Sequence, residues 1–152
     1  MHPLAAHLLR IVGVSLGAFL AVVGIPALVL ALLVAGVDDP CGNLHLLEVP
    51  SPSGDWKAVV FERDCGATTG FSTQVSVIKA GASLSNEGGN VFVADTNHNA
   101  APSGQGGGPV VRVTWIAHSR IRIEHHPLVR PIKAQPSYNG IRVDYVPTPS
   151  AG

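Results

Sequence analysis

Two patterns of apolar residues divide the chain. Residues 11–37, IVGVSLGAFLAVVGIPALVLALLVAGV, form an uncharged run of 27 residues, whereas from Cys41 onward apolar and polar positions alternate. The first pattern predicts a single membrane-spanning helix over Ile11–Val37. At 1.5 Å per residue such a helix is about 40 Å long, against roughly 30 Å of bilayer hydrocarbon. It spans with tilt, or bends at Pro26, where a backbone donor is missing.

The second pattern predicts half-buried strands. In Val110–Ala117, Val111, Val113 and Trp115 face one way and Arg112 and Thr114 the other. Arg120–Glu124 and Ile141–Tyr145 repeat the scheme, and His118-Ser119 reads as a hairpin turn. Upstream, Leu44–Val49 and Trp56–Arg63 flank the turn cluster Ser51-Pro52-Ser53-Gly54. The apolar triplet Val59-Val60-Phe61 reads as a strand buried on both faces. Thr73–Ile78 and Asn90–Ala94 complete about seven strands, and no amphipathic helical period occurs outside the membrane run. The expected fold is an all-β domain, an antiparallel sandwich or curled sheet over residues 38–146. Its expected core combines the inward Val and Ile residues with Trp56, Phe61, Phe92 and Trp115. Residues 147–152 read as a flexible tail.

Composition explains the low charge of the chain, 13% against roughly 25% in ordinary soluble domains. The membrane run carries none, and 17 glycines and 12 prolines thin it elsewhere. A net charge of zero gives no basic surplus to displace counterions from phosphates, so nucleic acid is not an expected partner.

A cleaved signal peptide is the competing reading of the apolar run, and Leu33-Val34-Ala35 resembles a small-residue cleavage site. A signal h-region is only about 7–15 residues long, however, which favours an uncleaved anchor. Arg10 precedes the run while Asp38 and Asp39 follow it. Positive residues stay inside, so residues 1–10 are expected in the cytoplasm and the β domain in the periplasm or extracellular space. Gly13, Gly17, Ala21 and Gly24 share one helix face, which would admit a second helix and form a homodimer.

The two cysteines, Cys41 and Cys65, both lie on the expected outer side. An even count in a small exported domain predicts a disulfide; reduced core thiols or half of a metal site are the alternatives. Without a C-x-x-C spacing, zinc held by cysteine is not expected.

Candidate chemistry is sparse. His98, His118 and His125 would have to fold together to hold a metal, as no H-x-H or H-E-x-x-H pattern occurs. Asp95-Thr96-Asn97-His98-Asn99 begins like a calcium loop, but Ala100 stands where the turn glycine belongs and Gly106 where the closing acid belongs. An Asn/Asp turn accounts for it better. Gly104-Gln105-Gly106-Gly107-Gly108 lacks the Lys-Ser/Thr or helix start of a phosphate loop, so it reads as a flexible connection. The most distinctive stretch is Arg63–Ser72, which packs charges, hydroxyls and a cysteine between two strands. Arg63, Asp64, Thr68, Thr69 and Ser72 form its candidate binding loop. The alternative is a turn whose hydroxyls satisfy nearby backbone.

Charge is uneven along the domain: residues 41–108 carry three basic and six acidic side chains, residues 109–146 six and two. The late-strand arginines read as a basic patch or as cross-strand partners of Glu124 and Asp144.

Residues 51–59, SPSGDWKAV, resemble the SPDG-type repeat of TolB-like propellers with Ser53 in place of the usual Asp. A propeller repeats every 40 residues or so, and the chain has one copy. More broadly, FERDCGATTGFSTQVSV, GNVFVAD, the glycine-rich loop and V-x-V-x-W together resemble a family of small, uncharacterised bacterial membrane-anchored proteins. That resemblance implies one N-terminal membrane helix and a compact exported domain, and it implies no catalytic residues.

These features lead to the expectation of a single-pass inner (plasma) membrane protein whose outer β domain binds or scaffolds an envelope partner, without a cofactor. The competing expectation is a metal-dependent or hydrolytic envelope enzyme using His98, His118 or His125.

Overall fold

The computed structural model describes residues 3–35, 40–66 and 69–149. The last two residues of the expected membrane run, Gly36 and Val37, the flanking Asp38 and Asp39, Thr68 of the candidate loop, and tail residues 150–152 lie outside the described residues. Two compact units divide at Asp39/Pro40.

The first unit is helical. Helix α1 (Pro3–Phe19) passes through a π turn (Leu20–Gly24) into α2 (Ile25–Ala35). Within it, the 22-residue span Val12–Leu33 reaches a mean hydropathy of 2.6 and is long and apolar enough to cross a membrane. The π turn sits where the sequence places Pro26. Proline has no N–H and its ring clashes with the carbonyl four residues back. The backbone widens before it, so that the Ile25 amide donates to Leu20, five residues back. One extra residue in a turn rotates the rest of the helix by about 100°. The rotation applies to residues beyond the π turn; Gly13 and Gly17 precede it, and Ala21 and Gly24 lie within it.

The second unit is a two-sheet β domain, as the alternating pattern indicates. Strands β1 (Gly42–Pro50), β2 (Trp56–Asp64), β3 (Ser72–Lys79), β4 (Phe92–Asp95) and β7 (Arg130–Ala134) form one antiparallel sheet in that order. Strands β5 (Val111–Ala117), β6 (Arg120–His125), β9 (Ile141–Pro147) and β8 (Ser137–Tyr138) form the other, ordered β5-β6-β9-β8. Seven strands match segments expected from the pattern; β7 and β8 are additional. After β6 the chain crosses to the first sheet, adds β7 at its edge and returns. This detour makes β9 parallel to β6 in an otherwise antiparallel fold.

The core lies between the sheets. Ala58 and Val60 of β2 and Val75 and Val77 of β3 meet Val113, Ile121, Ile123, Ile141 and Val143 from the second sheet. Phe92 is fully buried among them. Trp56 and Trp115 are only half-buried, packed at its margin. The Trp115 indole donates to the Val49 carbonyl at 2.9 Å, which ties the two sheets together.

Strand β2 is buried on both faces because a loop covers its outer side. Residues 80–90 return across that face. Asn43 donates to the Ser85 and Glu87 carbonyls, Asn86 to the Cys41 carbonyl, and the Gly89 amide to Gln74 at 2.6 Å. Val59 and Phe61 beneath it have no exposed surface. β9 reaches Pro147 and the Thr148 amide donates to the His125 carbonyl, so these two residues, expected in the tail, are tied to the sheet.

Candidate functional site

The disulfide organises one end of the first sheet. β1 and β2 pair through Gly42↔Asp64, and Cys41 and Cys65 occupy the next position of the same register, where they are bonded. The bridge clamps the open end of the ribbon whose other end is closed by the Ser51–Asp55 turn. In that turn Gly54 takes the left-handed conformation, φ 76°, that its type favours.

Beside the bridge lies a groove of about 540 Å³, lined by Arg63, Cys65, Thr69, Ser72, Gln74, Asp95, Arg130 and neighbours. Three residues of the candidate loop, Arg63, Thr69 and Ser72, thus reach one surface. Asp64 does not line it. Its carboxylate accepts from the Gly66 amide at 2.9 Å and shapes the turn, and the Thr69 hydroxyl donates to the Gly66 carbonyl.

The groove is pre-organised by hydrogen bonds. Arg63 donates to Asn43 Oδ1 at 2.7 Å and to Asn86. Gln74 donates to the Ser72 hydroxyl at 2.8 Å. At the far wall Arg130 of β7 forks onto Asp95 of β4 through both Nε and Nη2. Partial burial pushes the Asp95 carboxyl up, but the Arg130 guanidinium and the Asn97 amide outweigh it and hold it below its ordinary value. The guanidinium is correspondingly raised. Beyond this pair lies a second hollow of about 420 Å³, lined by Phe71, Thr96, His98, Asn99 and Gly107.

The Asp95–Asn99 stretch forms a turn. Asn97 donates its amide to Asp95 Oδ1, and Asn97, His98 and Asn99 all have positive φ. Two of the three are asparagines, the residue that best tolerates that conformation after glycine.

The glycine-rich run is packed, in contrast to the flexible connection expected. Glu62 sits on the inner face of β2 with 3% exposure, and its Oε1 accepts from the Gly108 amide at 2.8 Å. A Cβ on Gly106 would strike Glu62 Oε2, and one on Gly108 would come within 2.9 Å of the Thr73 amide nitrogen. Thr73 in turn donates to the Pro109 carbonyl at 2.6 Å. Backbone donors of the kind that cradle a phosphate elsewhere here meet the chain's own carboxylate.

The three histidines lie in different surroundings. His118 is exposed in the β5–β6 turn, His125 ends β6 with its ring stacked 5.5 Å from Phe92, and His98 lines the second hollow. Among the described residues no group of three His, Cys, Asp or Glu side chains could hold a metal ion. Two of the late-strand arginines meet the acids beside them: Arg112 reaches Glu124 at 3.8 Å and Arg120 reaches Asp144 at 2.7 Å.

Sequence reasoning missed Gln74, Asp95 and Arg130 as groove residues; Arg130 arrives on β7, which joins this sheet only through the crossover. It also missed Glu62, although period-two counting from Ala58 and Val60 puts that position on the core face. No protein-family model, curated protein or solved structure matches the chain.

Proposed function

We propose that this is a single-pass envelope protein. The apolar helix stays in the plasma membrane with its N-terminus in the cytoplasm, and the β domain binds or scaffolds a partner protein outside. The observation that carries the binding reading is the groove beside Cys41–Cys65, to which β2, β3, β4, β7 and two loops all contribute. The bridge supports the placement, since such bonds persist in oxidising compartments. A 22-residue apolar segment supports the anchor. A groove with polar walls and fixed hydrogen-bond partners suits recognition of an extended segment of another protein.

A photo-crosslinking residue placed at Thr69 or Ile132 of the full chain in native membranes tests this. The expected result is one discrete adduct from both groove positions and none from His118, at the opposite sheet. The same adduct from all three positions, or none from the groove, would count against the reading. Mass measurement of the membrane-extracted chain tests the anchor; loss of residues 1–35 would identify a cleaved leader.

A further inference from the structure

We propose that the outer face of the β5-β6-β9 sheet is a docking surface for anionic phospholipid headgroups, with Arg120, Arg122 and Arg142 as its phosphate-binding side chains; this rests on the membrane-anchor reading above. The parallel register of β6 and β9 sets Arg120 directly beside Arg142, and Arg122 beside Asp144. Like charges opposed across neighbouring strands destabilise a sheet. Asp144 relieves only one of the three, accepting from Arg120 Nε at 2.7 Å. Arg122 and Arg142 are exposed and have no acidic partner within 4 Å among the described residues.

The alternate positions Ile121, Ile123, Ile141 and Val143 are buried, so the arginines are held on the opposite, outward face. With Arg112 and Glu124 that face carries four guanidinium groups and two carboxylates, a net charge of +2 by 4 − 2. A guanidinium fork matches the geometry of a phosphate group. A three-strand face that sets its guanidinium groups side by side suits an array of headgroups better than a small ligand in a cavity. The six residues between Ala35 and Gly42 span at most about 20 Å, so an anchored domain stays within reach of the bilayer surface.

The test uses the full chain reconstituted in phosphatidylcholine proteoliposomes, which leave the face unoccupied. Fluorescent free vesicles are then added, either phosphatidylcholine alone or phosphatidylcholine mixed with phosphatidylglycerol. The expected result is about tenfold greater capture of the anionic vesicles, lost at high salt. Capture should fall to the neutral level in Arg120→Gln/Arg142→Gln and fall in Arg122→Gln, while Arg120→Lys/Arg142→Lys retains most of it. Equal capture of both compositions, or undiminished capture by the glutamine variants, would overturn the proposal. Binding of polyglutamate beads through the same arginines, with anionic vesicles ignored, would assign the face to an acidic polypeptide and also overturn it. Release of the chain from the proteoliposomes would refute the anchor alone; the face is then read by sedimenting the chain with the same two vesicle types.

Discussion

The Gly108 amide and the Glu62 carboxylate are joined by a 2.8 Å hydrogen bond in a part of the domain that water scarcely reaches. The pair closes the glycine-rich run onto the sandwich. Three consecutive glycines are needed because Gly106 and Gly108 approach Glu62 and Thr73 too closely for a side chain, and Gly107 adopts φ 110° against the Phe71 ring.

Gly106→Ala should therefore destabilise the domain by about 1–3 kcal/mol, the usual cost of forcing extra atoms into a packed site. Glu62→Leu should lose a similar amount by leaving the Gly108 donor without its acceptor. Denaturant titration of the full chain in detergent, followed by tryptophan fluorescence, checks both. A flexible connection would tolerate either change within a few tenths of a kcal/mol.

Reducing Cys41–Cys65, or replacing both residues by serine, should cost about 3–4 kcal/mol by the chain-entropy estimate for a loop of this size. Local opening should start in β1, an edge strand held on one side only by β2. Amide exchange resolved by residue is the readout, with β1 amides accelerating more than those of β3.

Acid should weaken the Asp95–Arg130 clamp. The Asp95 carboxyl lies below its ordinary 3.8 in the folded chain, so the stability it contributes is present above that pH and is lost as the pH falls through the folded value. Arg130→Gln should flatten that part of the pH–stability curve, and added salt should do so in part, because the arginine is half exposed.

At the alkaline end Tyr145 is the sensitive group. Its hydroxyl lies between the Val91 and Gln135 carbonyls at 2.8 and 2.7 Å, sharing one proton between them. Burial pushes the phenol up to about 12, and a phenolate would lose the hydrogen bonds that the hydroxyl donates to the two carbonyls. The neutral form belongs to the folded state, so its contribution holds below pH 10 and disappears as the pH rises toward 12. Ultraviolet titration should show a late phenolate that Tyr145→Phe removes, with about 1 kcal/mol of stability lost at neutral pH.

Pairing of membrane helices should depend on Gly17 and be indifferent to Gly24. Crosslinking yield in membranes should drop for Gly17→Leu and stay level for Gly24→Leu, because the π turn changes the helix winding between the two positions. Equal loss in both variants would mean that the stripe continues through Pro26.

Local pattern carried much of this. Alternation located seven of nine strands, and Val59-Val60-Phe61 marked β2 as doubly buried. The Asn139-Gly140 pair, with φ 47° and 80°, is the two-residue turn that joins β8 to β9; an Asn-Gly dipeptide is a hairpin signal, but the pattern of alternation did not mark the short β8 before it. β7 was harder to see, since Pro131 suppresses a strand assignment and is tolerated there only because β7 is an edge.

The sequence by itself determined the two-part organisation, the all-β class and the pairing of its only two cysteines, because hydrophobic period and residue counts depend on nearest neighbours along the chain. The tertiary structure alone decided that β7 crosses sheets, bringing Arg130 to Asp95, and that β9 lies parallel to β6, setting Arg120 beside Arg142. Those contacts join residues 35 and 22 positions apart, by 130 − 95 and 142 − 120, and no local periodicity encodes them. They arise from how two sheets bury a common core, which is settled only when the whole domain packs.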